Sequence, residues 1–188
     1  MKKILLIIPI LFLNCSSNMN TEEIIIELSK LQLIENNQII SNLKENLDDK
    51  IKSSINLTHY DKINKCDSLS KEYFNYLESV ENEVKEKGFQ VFFKGDDYSK
   101  FGKEYTSQSE KYIKDIESLM PSKNLLERIN IIFNTKYVTN EDGLNINYLD
   151  YYFKGFPKSQ STAFINDKRK EILTFENELI DELIIKSK

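Results

Sequence analysis

The sequence predicts an all-α protein: an elongated bundle of about five helices, with one small β-hairpin before the last. Three observations predict it. Apolar residues recur at steps of three and four over long stretches. Only five glycines and three prolines interrupt 188 residues, which suits long regular elements joined by few turns. One Asp-Gly pair sits between two short β-patterned runs, the composition of a tight hairpin.

The chain opens Met1-Lys2-Lys3 and continues with an apolar run from Ile4 to Leu13 broken only by Pro9. A basic start and roughly ten apolar residues have the layout of a secretory signal, too short for a bilayer that needs about 20. Leu11-Phe12-Leu13-Asn14-Cys15 then resembles a lipobox, with Asn14 where Gly, Ala or Ser is more usual. The expected outcome is cleavage before Cys15 and lipidation of Cys15; a plain signal peptide with an incidental cysteine and an uncleaved anchor are the competing readings. Residues 1–14 are thus read as signal and 15–21 as a polar tether. Residues 22–188 form one helical domain, long enough to bury a core without staples. Two acyl chains already anchor a protein stably. The expected place is the cell envelope, at the outer membrane facing the periplasm.

Asn20 or Thr21 can cap the first helix, whose opening turn carries Glu22 and Glu23 at the positive end of the dipole. Ile24, Leu28, Leu31, Ile40, Leu43, Leu47, Ile51 and Ile55 mark its apolar face, and Asn36-Asn37 are expected to loosen it midway. The second helix has the clearest stripe: Ile63, Cys66, Ser70, Tyr73, Leu77, Val80 and Val84, ended by Gly88. Three heptads suit a bundle seam better than a free coiled coil.

Gly88 to Asp97 reads as an aromatic-rich connector, with a short strand as the alternative. Tyr98, Phe101, Tyr105, Tyr112, Ile116 and Leu119 carry a third helix that Pro121 stops. Ser122 can cap a fourth, with Leu125, Leu126, Ile129, Ile132 and Phe133 inward. Tyr137-Val138-Thr139 and Leu144-Asn145-Ile146 flank Asp142-Gly143 as the hairpin. Pro157 fits the first position of a last helix running to about Ile185. Its stripe is Ile165, Ile172, Leu179 and Leu183, with Ala163, Phe175 and Ile184 beside it.

Chemistry is sparse. Losing Lys2 and Lys3 with the signal moves the net charge from −4 to −6, against the concentrated basic face that nucleic acid requires. With Cys15 lipidated, Cys66 is the one thiol left, placed on an apolar seam where it behaves as a small hydrophobe. His59 is the only histidine, in a loop beside Asp61, and reads as solvated. The Glu141-Asp142-Gly143 run does not fit a calcium loop, since the first ligand position counted back from Gly143 falls on Val138. Glu176 and Glu178 read as a solvated face, or as partners of Lys170 or Arg169. No catalytic residues, no cofactor and no metal site are expected.

Tyr148 to Pro157 packs Tyr148, Tyr151, Tyr152, Phe153 and Phe156 into ten residues. Two readings stand: a core plug between hairpin and helix, or a partner-binding patch in which Tyr148, Tyr151, Phe153 and Phe156 make the contact.

The run Asn134-Thr135-Lys136-Tyr137-Val138-Thr139-Asn140-Glu141-Asp142-Gly143, followed by Tyr148-Leu149-Asp150-Tyr151-Tyr152-Phe153-Lys154-Gly155-Phe156-Pro157, resembles the N-terminal periplasmic region of the gliding-motility protein GldM. Tyr73-Phe74-Asn75-Tyr76-Leu77-Glu78 and Gly102-Lys103 are similar to its second and third helices, and Ser161, Ile165, Ile172 and Glu176 fall where its last helix has like residues. The resemblance spans about residues 22–185. It implies a structural or interaction component of the gliding and type IX secretion machinery, with envelope proteins of that machinery as partners and a possible homodimer. Lys158 to Gln160, Phe164, Asp167 and Lys168 depart from the family helix. GldM proteins begin with a membrane-spanning helix that works in a proton-driven motor. A lipobox-like start carries no intramembrane carboxylate, so motor activity is not carried over. The alternative function is a binding or chaperone-like lipoprotein that holds a hydrophobic ligand or client between helices.

Overall fold

Few helix breakers and long apolar stripes produce long helices. A computed structural model describes residues 21–87, 96–134, 137–139, 145–147 and 160–188. Among these, five helices occur: α1 Thr21–Ser53, α2 Tyr60–Lys87, α3 Asp96–Glu117, α4 Lys123–Asn134 and α5 Gln160–Lys186. Two three-residue strands, β1 Tyr137–Thr139 and β2 Asn145–Asn147, pair antiparallel with Val138 opposite Ile146. They add no layer to an all-helical fold. The tight turn expected at Asp142-Gly143 lies outside the described residues, as do the 88–95 connector and the aromatic run from Tyr148.

The chain divides into two compact units, Met1–Glu35 and Asn36–Lys188. The described part of the first is the opening stretch of α1, where Leu31 is 41% and Ile34 65% exposed. Leu31 was expected on a buried face. Periodicity shows which residues share a side of a helix, not whether anything covers that side.

In the second unit, the rest of α1 buries Ile40 and Leu47, with Leu43 and Ile51 half-buried against the same core. Ile55 lies past the helix end and is exposed, which corrects its expected place on the stripe. Asn36 does not loosen the helix. It is buried, donates to Asp167 Oδ1 at 3.2 Å and accepts from Lys170 Nζ at 3.1 Å. Further along, Asn46 donates to Asn177 Oδ1 at 3.2 Å, and Lys50 meets Asp181 at 2.7 Å. The Asn177 amide nitrogen donates to Leu43 O and Leu173 O, at 3.2 and 2.9 Å. A polar ladder thus fixes the register of α1 on α5 beside the apolar contacts. We expect Asn177→Ala to cost about 1–3 kcal/mol, because it removes the hydrogen bonds of a buried amide to both helices; chemical denaturation would read this directly, and an unchanged midpoint would show the ladder to be dispensable.

The seven stripe residues of α2 are the seven that are buried. In α3, Phe101, Tyr105, Tyr112 and Ile116 point inward, joined by Ile113, and Leu119 is buried just past the helix end. The helix ends at Glu117, short of Pro121, and Met120 takes a left-handed φ of 61° that usually goes to glycine at a helix C-terminus. Lysines hold the carbonyls there: Lys62 donates to Leu119 O at 3.3 Å and Lys186 to Met120 O at 3.2 Å. In α4, Leu125, Ile129 and Phe133 are buried and Ile132 half-buried, while Ile131 faces out.

The last helix differs most from expectation. In place of one stripe, α5 buries Phe164, Ile165, Ile172, Leu173, Phe175, Leu179, Ile180 and Leu183, and with them Asn166, Lys168, Glu176 and Asn177. Both α2 and α4 pack on it, and α1 bonds along it. A helix packed from several sides buries residues well beyond a single stripe.

Candidate functional site

Cys15 and the four aromatics expected to meet a partner, Tyr148, Tyr151, Phe153 and Phe156, lie outside the described residues. What the described helices bring together is a buried polar layer that sequence reasoning did not assemble. The stripe of α2 supplies Cys66, Ser70 and Tyr73, at spacings that put all three on one face. From α3 come Ser109 and Tyr112, one turn apart; α4 supplies Phe133 and α5 supplies Glu176.

Within this layer Ser70 and Tyr112 exchange a hydroxyl hydrogen bond at 3.0 Å, and Tyr73 and Ser109 do the same at 3.0 Å. Ser109 also donates to the Tyr105 carbonyl at 2.6 Å. The Phe133 ring stands 5.2 Å from Tyr73 and 5.5 Å from Tyr112, with the two tyrosines 5.3 Å apart. Aromatic packing therefore holds the hydroxyls in place. Burial pushes the Tyr73 and Tyr112 phenols well up, so both remain neutral donors.

Glu176 has no exposed surface, and neither carboxyl oxygen has a hydrogen-bond partner among the described residues. This corrects the expectation of a solvated or salt-bridged side chain. Its proposed partners are engaged elsewhere: Lys170 with Asn36 and Asp167, Arg169 with Glu81 at 3.8 Å. Its neighbour Glu178 pairs with Arg128 of α4. Desolvation pushes the Glu176 carboxyl up to about 8, with Asp67 and Asp48 adding to the rise and Ser70 and Lys71 opposing it. The signal was present in the sequence. Glu176 stands four residues after Ile172 and three before Leu179, in step with the buried stripe.

Lys168, one turn before Ile172, is buried for the same reason. Its ammonium donates to Ile132 O at 2.5 Å and to Glu171 at 2.8 Å, and lies 5.9 Å from the Phe133 ring centre. Burial lowers its basicity, and the nearby Glu171 and Asp167 carboxylates partly restore it. Cys66 is fully buried, and burial, then Glu176 and Asp67, hold its thiol well above the usual range. That is the environment of an inert thiol. His59 is half-buried, with Thr58 Oγ1 at 3.1 Å from Nδ1 and its own amide donating to Ser187 Oγ. No group of acidic, histidine or cysteine side chains among the described residues could hold a metal ion. Between α2 and α3 a shallow depression beside Leu69, Glu72, Lys111 and Asp115 has room for about one water molecule.

A protein-family model matches part of the chain. The model of the GldM N-terminal domain aligns with residues 81–186, more than half of the chain. This chain belongs to the GldM N-terminal domain family. The GldM match begins in the last two turns of α2 and takes in α3, α4, both strands and α5. It includes the aromatic run from Tyr148 to Pro157, and of the buried layer Ser109, Tyr112, Phe133 and Glu176. Cys66, Ser70 and Tyr73 precede it, as does α1. A comparison with curated protein sequences finds no match. Among the described residues, no helix is long and apolar enough to cross a membrane.

Proposed function

We propose that this GldM-domain protein is a lipid-anchored, non-enzymatic component of the cell envelope that docks on or modulates the gliding and type IX secretion machinery. The observation that carries this reading is the GldM N-terminal domain match over residues 81–186. Cys15, at the end of the apolar start, supplies the anchor, and the tether to Thr21 lets the helical domain stand off the membrane. The aromatics Tyr148, Tyr151, Phe153 and Phe156 offer the contact surface. Rigid aromatic side chains dominate interface energetics.

The test is to crosslink a tagged copy in its native cells and identify the envelope proteins that co-purify. Gliding or type IX secretion proteins are the expected catch, and Tyr151→Ala or Phe156→Ala should reduce it severalfold while leaving the melting temperature within a few degrees. Recovery of unrelated envelope clients or a bound lipid alone would overturn the machinery reading in favour of a binding lipoprotein. Loss of stability without loss of partners would place the two aromatics in the core.

A further inference from the structure

A carboxyl that is fully enclosed, with no ion pair and at most the Ser70 hydroxyl, itself engaged by Tyr112, to oppose its desolvation, contributes nothing to packing that leucine would not contribute better. Its presence at the α2–α5 seam therefore calls for an account in terms of what only a carboxyl can do, which is to gain or lose a proton. The surroundings are suited to a neutral group. The layer facing Glu176 holds hydroxyls already paired with one another, Ser70 with Tyr112 and Tyr73 with Ser109. The charged and titratable groups around it are few. From α2 come Cys66, Asp67 and Lys71, from α1 Asp48, and from α3 Tyr112. Lys71, the one cation in this set, is bonded to Asp67 at 2.6 Å and is 65% exposed. From α4, Arg128 is held by Glu178, and on α5 itself Lys168 is held by Ile132 O and Glu171. Among the described residues, neither oxygen of Glu176 is paired with a cation.

We propose that Glu176 is a proton-operated latch on the seam between α2 and α5: protonated, it lets the buried hydroxyl layer close, and ionised, it drives the seam open. The direction follows from linkage. The enclosed carboxyl titrates at about 8, against about 4.5 when released to water. The closed state thus binds the extra proton, and its advantage is complete below the lower value and is lost progressively as the pH rises through the upper one. Cys66 is a built-in reporter, fully buried in the same layer and reachable by a thiol reagent only when the seam opens.

The experiment is thiol labelling of the full chain across the pH range, with modification of Cys66 followed by peptide mass spectrometry and compared with the same chain carrying Glu176→Gln. Dividing one rate by the other removes the intrinsic pH dependence of the thiol. The ratio is expected to climb about tenfold per pH unit in the neutral range and about a hundredfold in all between about pH 6 and pH 9. A ratio that stays flat overturns the latch. Should the glutamine variant fail to fold, infrared spectroscopy of the unmodified chain decides. A protonated-carboxyl band persisting at about pH 6.5 and gone by about pH 9 supports the proposal, whereas its absence at the lower pH shows Glu176 ionised and the idea wrong.

Discussion

Leu77→Asp unfolds this domain. Leu77 is completely buried on α2, the helix that packs on both α3 and α5, so no rotation of the side chain brings a carboxylate to water. Removing the leucine costs about 2–5 kcal/mol in lost burial and cavity formation. An unpaired carboxylate adds several more, or takes up a proton at a comparable cost. Domains of this size hold only about 5–15 kcal/mol in total. The seam already holds one buried carboxyl at Glu176, and the buried ammonium of Lys168 is taken up by Ile132 O and Glu171. Circular dichroism should show a cooperative melt in the parent chain and none in the variant. The control is Leu77→Met, which conserves volume and should cost less than about 1.5 kcal/mol. A melting temperature unchanged by the aspartate would mean that the buried face of α2 has been misassigned.

Cys15→Ser releases the protein from the membrane fraction. Under the proposed anchoring, acyl chains on the cysteine are what hold the chain to a bilayer, at about 0.8 kcal/mol for each buried CH₂. A seryl hydroxyl cannot take the thioether-linked lipid, and no described helix is apolar enough to replace it. Fractionation after carbonate washing should move the protein from nearly all membrane-bound to nearly all soluble, with its mass lowered by the missing lipid. Continued sedimentation of the serine variant at the mass of the parent chain would mean that the apolar segment from Ile4 to Leu13 is the anchor in both and that the lipobox reading is wrong. Because Cys15 precedes the first described helix in the sequence, melting should be unaffected, which separates this test from the first.

How far the sequence could be read depends on what each helix meets. The stripe of α2, from Ile63 to Val84, was legible residue by residue, because one side of that helix is packed and the other solvated. The inward residues of α3 and α4 were legible for the same reason. The resemblance to the GldM N-terminal domain was legible in short motifs, and the family match from Glu81 to Lys186 takes in those from Gly102 onward but not Tyr73 to Glu78 or the first helix. On α1 the periodicity identified a face correctly but could not say that it is covered from Asn36 onward and that Leu31 is left exposed.

By itself the sequence determined what depends on local spacing and composition: helix class, helix faces and the family. Only the tertiary structure decided the fate of the polar residues on α5. Asn36 and Asn177 look like helix weakeners in isolation and become register-setting partners once α1 and α5 meet. Lys168 and Glu176 look like surface charges until several helices close around α5, and burial then drives both toward neutrality. Charge is a property of a side chain, but the cost of keeping it is set by what surrounds that side chain, and residues distant in the chain supply those surroundings.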